Sequence, residues 1–570
     1  MRVSHITTGL TTSALVFVFG ATFILNSSSA AQQPSDTGLQ GIEVLTRGPV
    51  HEAFAETVTF DPEPGIVIAK VPPESIEEVT PDQKPEGANV AWIPGYWGWD
   101  DERNDFLWVS GIWRALPPGR QWIPGYWALS GQNYQWTSGY WADAQANEIQ
   151  YLPEPPATVE VGPNIAAPST DSTWLPGCWV WQQTRYAWRP GSWVAGQQDW
   201  QWVPDYYVWT PRGYVFVDGY WDYSVGRRGV LFAPVYFNAN VYSQRGFAYS
   251  PSTVINPAVF ASHLFLRPSY GHYYFGDYYD ANYANAGFSP WFSFQSSRSG
   301  YDPFFAHERW QHRQERDWEN RTAESFRNYR NNESTRPPRT WAAQRALNAN
   351  APNTSATAAN NRAVTLAAPL EELSKSKDSP FRFQAVDKAE RQQLGSHRQE
   401  SRKFLQQRQQ LEANAANTSP ANPAPTAGPA TAKLPKSPFV ATTGKQLSTQ
   451  DGPPKRYEVL KPNLQVQPQP RKGGSQAKVN TGTSQAPDKN VPQGPPTAKV
   501  KNQTQGDSKG QPQGESKGQK QSGAKGQQEG RSKDQKKSGS SGQQQSGTGG
   551  QQQGPPQNPS KDDSKKKDRN

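Results

Sequence analysis

Seven histidines and one cysteine are the residues of this chain best suited to acid–base, nucleophilic or metal chemistry, so their spacing comes first. The only close pair in a helical context is His307-Glu308-x-x-x-His312. A zinc-protease helix needs histidines at i and i+4 with a glutamate after the first, so that both rings meet one metal; the spacing here turns the second ring away. His272, in GHYYFGDYYD near Asp277 and Asp280, offers a weaker set still. Cys178 stands where sister segments carry Tyr, Ile or Ser, which marks packed filler rather than a nucleophile. With no second cysteine, no intramolecular disulfide can form. The chain has no GxSxG, P-loop or Rossmann glycine pattern, and its carboxylates form no pair that the sequence can place. The expectation is a protein that is not an enzyme and uses no metal or cofactor.

What the sequence does repeat is tryptophan. WIPGYW occurs at 92–97 and again at 122–127, and looser copies surround both. Eight copies follow one pattern: Trp92-Gly95-Trp97, Trp108-Gly111-Trp113, Trp122-Gly125-Trp127, Trp136-Gly139-Trp141, Trp174-Gly177-Trp179, Trp188-Gly191-Trp193, Trp202-Asp205-Tyr207 and Phe216-Gly219-Trp221. Their leading aromatics lie 16, 14, 14, 38, 14, 14 and 14 residues apart, a period that marks internal repetition. Glycine in every copy but one, and proline in most, argue against helix. Pairs such as Tyr134/Trp136 and Trp200/Trp202 put two aromatics on one side of a strand. Turn signals at 117–119, 130–133, 195–198 and 211–213 separate the copies. The predicted fold is an all-β core, an antiparallel meander of 14-residue aromatic repeats with a barrel-like closure open to it, followed by helices and a long disordered tail. A single copy buries too little to offset the entropy of ordering it, so the copies must stack.

The spacing inside a copy poses a question of parity. Residues five apart on a regular strand point to opposite faces, so Trp122 and Trp127 would disagree about the core. A bulge at Pro124-Gly125, with glycine at positive φ, would restore agreement. A type II turn there is the rival.

The remainder sorts by composition. Residues 1–30, with the apolar run ALVFVFGATFIL and small residues near Ala30, read as a cleaved secretion signal. Residues 31–90 read as a Pro-rich extended arm with a strand near GIVIAKV. Repeat block one (91–142) and block two (174–223) flank a Pro-rich linker (143–173). Residues 224–305 form an aromatic-rich extension packed on the repeats, with VLFAPVYF as a strand and NPAVFASHLFL as a short helix capped by Asn256. One amphipathic helix and an Arg/Pro segment occupy 306–341, a low-complexity linker 342–384, a solvated helix 385–416 and a disordered basic tail 417–570. The last 70 residues hold 14 basic against 7 acidic side chains, so +7 of the net +9 charge lies there and the aromatic region is nearly neutral. That distribution excludes a specific nucleic-acid surface on the folded part.

The W-x-x-G-x-W copies, clearest at Tyr134-Gln-Trp136-Thr-Ser-Gly139-Tyr-Trp141 and Tyr186-Ala-Trp188-Arg-Pro-Gly191-Ser-Trp193, resemble the WXXGXW (YXWGXW) repeat family of exported bacterial proteins. The resemblance covers residues 92–221, departs at Asp205, Tyr207 and Phe216, and implies a cell-envelope or secreted protein without implying any activity. Three functions are compatible: a structural or interaction protein of the envelope, polysaccharide or cell-wall binding through exposed Trp/Tyr rows, and polyanion binding by the basic tail. Envelope polysaccharide and other envelope proteins are the partner classes these imply.

Overall fold

The computed structural model describes residues 41–441, apart from 88, 296–297, 350–361, 378, 417–428 and 434. The segment read as a secretion signal and the tail beyond 441 lie outside the described residues.

The eight copies close in pairs into four antiparallel hairpins. In the first, Val90–Ile93 and Tyr96–Asp100 run out while Asp105–Val109 and Ile112–Ala115 return, so that Trp92 stands across from Trp113 and Trp97 from Trp108. The second pairs Trp122 with Trp141 and Trp127 with Trp136; the third pairs Trp174 with Trp193 and Trp179 with Trp188; the fourth pairs Trp202 with Trp221 and Tyr207 with Phe216. All eight cross-strand ring pairs have centroids between 5.1 and 5.3 Å apart, most of them edge to face, the arrangement that ring quadrupoles favour.

Neither the bulge nor the turn expected at Pro-Gly is present. Each strand does break there, but Ile93 pairs with Ile112 before the break and Tyr96 with Val109 after it. Two residues, Pro94 and Gly95, therefore oppose two, Ser110 and Gly111, and no residue is inserted on either side. The other three hairpins keep register in the same way. With parity intact, the two aromatics of a copy enter different cores: Trp92 and Trp113 pack with Val230, Phe232 and Val254, whereas Trp97 and Trp108 pack with Val235, Phe237 and Tyr249. The sequence expectation that both face one side is thus corrected.

The hairpins do not merge into one meander, and no closed barrel is found among the described residues. Segments from elsewhere add strands to them instead. Val235–Phe237 lies beside Asp105–Val109, Val67–Ile68 beside Asn133–Thr137 as the GIVIAKV reading anticipated, and Glu148–Leu152 beside Gly213–Val217. The arm at 41–86 is therefore no free extension, since it threads the body through short pairings from Ile42–Val44 to Gln83–Pro85.

Further expectations change. VLFAPVYF is split at Pro234 into Gly229–Val230 and Val235–Phe237, because proline can donate no ladder hydrogen bond. The single helix expected after 306 is two, Pro303–Gln311 and Trp318–Asn331. The stretch 342–384 is not all linker: Gln344 is buried and holds the Leu366 and Ala367 backbone at 2.9 and 3.1 Å. The Lys388–Ala416 helix is docked rather than solvated, with Phe404, Arg408 and Glu412 buried. The start of the basic tail is folded too: Phe439 O accepts from Trp122 N at 2.9 Å and Ala441 N donates to Arg120 O at 2.9 Å, laying that segment along the second hairpin. The helix expected over NPAVFASHLFL is only Pro257–Phe260, with Asn256 as its cap as expected, accepting from Ala258 N at 3.0 Å, and the last residues of that stretch enter the strand Leu264–Arg267 instead.

Candidate functional site: a carboxylate in each aromatic hairpin

Breaking the ladder at x-Gly leaves backbone N–H and C=O groups that must find partners once buried. In the first hairpin one side chain, Glu78, accepts three of the donors. Its Oε1 takes the Trp108 indole N–H at 2.8 Å and Gly111 N at 2.9 Å, and its Oε2 takes Gly95 N at 2.8 Å. In the second, Glu52 takes the Trp136 indole at 3.0 Å and Gly139 N at 2.9 Å. In the third, Glu160 takes the Trp174 indole at 3.2 Å and Gly177 N at 2.5 Å. In one copy of each of these three hairpins the W-x-x-G spacing brings the indole N–H and the N–H of the glycine three residues later onto one carboxyl group.

The same indole explains the glycine. In the second hairpin a Cβ on Gly125 would lie 2.6 Å from the Trp136 ring, and one on Gly139 would lie 2.5 Å from the Trp122 ring. Each leading tryptophan thus lies across the glycine of the opposite copy, and the third hairpin repeats the arrangement, with Gly177 under Trp188 and Gly191 under Trp174. None of the seven repeat glycines has φ in the left-handed region. Close approach, rather than a special backbone conformation, is what demands glycine here.

The fourth hairpin is the informative exception. Asp205 replaces glycine, and the residue that would cover it, Phe216, is the one leading position without an indole. The carboxylate of Asp205 then does what a glutamate from elsewhere does in the other three, accepting from Gly219 N at 2.7 Å. Asp205 and Phe216 look like two unrelated lapses in the sequence, yet they are halves of one substitution.

The carbonyls at the breaks are matched as well. Arg408, on the Lys388–Ala416 helix, donates to Pro124 O at 2.6 Å and Ser138 O at 3.1 Å, and Arg120 donates to Gly219 O at 3.0 Å. Arg408 is held by Glu412 at 3.2 Å, which also accepts from Tyr126 and Tyr151. Glu56 ties the second hairpin to the fourth, accepting from Trp141 N at 2.8 Å and from the Tyr220 and Tyr206 hydroxyls. Burial pushes these carboxyls up: Glu52 to about 8, Glu56 to about 7, and Glu78 in the same direction, against the stabilising pull of their N–H and O–H donors.

A protein-family model, WXXGXW repeat (2 copies), matches residues 87–114, 122–142, 173–194 and 199–222. These are WXXGXW repeats. Each matched span is one hairpin, so the two-copy unit of the family model coincides with the pair of copies that close on each other. No curated protein and no solved structure matches the chain.

The repeats differ in exposure. Trp92, Trp97, Trp108, Trp113, Trp122, Trp136 and Trp141 are buried, whereas Trp179, Trp181, Tyr186, Trp188 and Trp193 of the third hairpin are only half-buried. The residues first considered for chemistry are scattered. The His307 Nε2 faces the carbonyls of Gln197 and Gln198 at 3.1 and 3.0 Å, while the His312 ring stacks on Trp318. His272 lies between the Tyr96 hydroxyl at 2.7 Å and Tyr270 O at 2.9 Å, and burial lowers it to about 3. Asp277 pairs with Arg339 at 2.7 Å, and Asp280 caps the Ala281–Asn285 helix. The Cys178 thiol is pushed up to about 12 by burial. Among the described residues no group of three metal-ligating side chains assembles. Sequence reasoning missed Glu52, Glu78 and Glu160, which lie outside the repeats; the faint signal was that Glu78 and Glu160 each precede the first tryptophan of a block by 14 residues.

Proposed function

We propose that this is an exported, non-enzymatic structural and interaction protein of the cell envelope, with WXXGXW hairpins as its rigid elements. The observation that carries the reading is the fate of the buried carboxylates. Glu52, Glu78 and Glu160 each accept from an indole and a glycine N–H of their hairpin. Such groups fix geometry and are committed before any substrate arrives. With one cysteine and no disulfide, an exported chain needs non-covalent closure of this sort, and hydrogen bonds from indole and backbone N–H groups to buried carboxyl oxygens inside aromatic cores supply it. The signal-like segment at 1–30 supports export.

Cell fractionation with sequencing of the mature amino terminus tests the proposal. The expected result is protein in the envelope or medium, beginning near Ala31. Full-length protein retained in the cytosol, first thirty residues intact, would overturn it.

A further inference from the structure

The half-buried third hairpin does not end in open solvent. Between its Trp174/Trp193 pair and the helices Pro303–Gln311 and Trp318–Asn331 runs a groove of about 360 Å³. Two tryptophans from the repeats, Trp174 and Trp193, and two from the helical segment, Trp310 and Trp318, line it together. The sequence places these pairs more than a hundred residues apart, and only the fold makes them one wall. The volume is that of a small-ligand cleft, and the lining is mixed rather than purely apolar.

Its charges narrow the ligand. Arg309 is held by Glu319 at 2.7 Å and Arg313 by Asp171 at 2.6 Å, while Glu315 is paired with His312 at 2.6 Å. Arg316, which also lines the groove, makes no ion pair among the described residues. A set of rigid amphipathic rings with one available guanidinium suits a ligand that has apolar ring faces, many hydroxyls and an occasional carboxylate. Nucleic acid fits poorly, because a strand brings a phosphate with every nucleotide and the other arginines are committed. We infer that this groove binds an acidic oligosaccharide, with the half-buried Trp193 and Trp310 lying against sugar rings, Trp174 and the stacked Trp318 backing the wall, and Arg316 taking a carboxylate in its fork. This deepens the envelope reading proposed above and rests on it.

The test is calorimetric titration of the full chain with trigalacturonate, with cellotriose as the neutral probe and an oligothymidylate as the polyanion probe. Trigalacturonate is expected to bind and cellotriose to bind at least tenfold more weakly. Arg316→Gln should weaken trigalacturonate binding about tenfold or more, as loss of one charge-assisted contact does, and Arg316→Lys should restore part of it. Arg316 is exposed, so its replacement should leave the near-ultraviolet dichroism unchanged. No binding of trigalacturonate, equal binding of cellotriose, tighter binding of the oligothymidylate, or an Arg316→Gln variant that binds like the parent would each overturn the inference. Envelope localisation with a silent groove would remove this site alone, whereas cytosolic retention would remove the proposed function whatever the groove binds.

Discussion

The second and third hairpins are built on one pattern and end in different surroundings. Both have four tryptophans in two cross-strand pairs, glycines under the leading indoles and a glutamate at the break. The second is flanked by Val67–Ile68 on one strand and by the Phe439–Ala441 segment on another, and its freed carbonyls are read by Arg408. The third is paired by no added strand among the described residues; a linker wraps it, giving Glu160 to the break and the carbonyls of Ala157 and Ile165 to the indoles of Trp179 and Trp193. The repeat therefore fixes the geometry of a hairpin without fixing what covers it. An aromatic repeat can be core in one place and lining of a groove in another.

The largest effect should come from filling the space under an indole. Gly125→Val is expected to abolish folding of the first block, since its first side-chain atom would already meet the Trp136 ring and the Glu52 carboxylate at 2.6 Å. Pro124→Ser should be tolerated, because Ser138 occupies the equivalent place in the partner copy. Thermal unfolding of both variants decides the matter, and equal losses would remove the close-approach explanation.

Removing the carboxylates should then separate the two hairpins. Glu52→Leu strands two buried donors and is expected to cost about 3–5 kcal/mol, felt in global denaturant unfolding. Glu160→Leu strands the same two kinds of donor in a hairpin close to solvent and should cost about 1–2 kcal/mol. Its effect should appear as faster amide exchange confined to 172–195. Global destabilisation by both would mean that the third hairpin is as central as the second.

A smaller effect concerns pH. Glu52 keeps its proton in the folded chain up to about 8 but releases it near 4.5 when unfolded, so the unfolded state binds fewer protons between those values and stability falls as pH rises. Glu56 and Glu78 act in the same direction. The buried histidines His51, His263 and His272, lowered to about 4, 4 and 3, act oppositely below their ordinary 6.5, where the unfolded chain takes up protons first. The carboxyl effect should thus stand alone above pH 6.5. Melting temperature is expected to decline from there to pH 8, with a shallower decline in Glu52→Gln; a rise over that window would contradict the assignment.

The smallest effect should be at the fourth hairpin, where the carboxylate is built in. Asp205→Gly should cost about 1–2 kcal/mol by stranding the Gly219 N–H, and Asp205→Asn, which keeps an acceptor, should cost less. If the two variants melt alike, Asp205 is not the counterpart of the glutamates.

Much of the repeat architecture was legible in residue order. The 14-residue period gave the copies, the turn signals at 117–119, 130–133, 195–198 and 211–213 fall between strands as expected, and aromatic alternation gave the β character. The pairing of copies was legible in principle, because Asp205 and Phe216 depart together. Two things were misread. Glycine was assigned a left-handed role because that is its commonest use, when the space beneath an indole was the constraint. Segments rich in proline, glutamine and arginine were assigned to solvent because composition records neither Glu52 in the arm nor Arg408 on the late helix as the partner of a broken ladder.

The sequence by itself determined the hairpin, since register, ring pairs and the W-x-x-G convergence all follow from spacings shorter than thirty residues. Only the tertiary structure decided which carboxylate closes each hairpin, which rings are core and which line the groove. Those choices depend on contacts such as Arg408 with Pro124 or Trp310 beside the third hairpin, made between residues far apart in the chain. Burial assigns the partner of a hydrogen bond, and burial is a property of the whole fold.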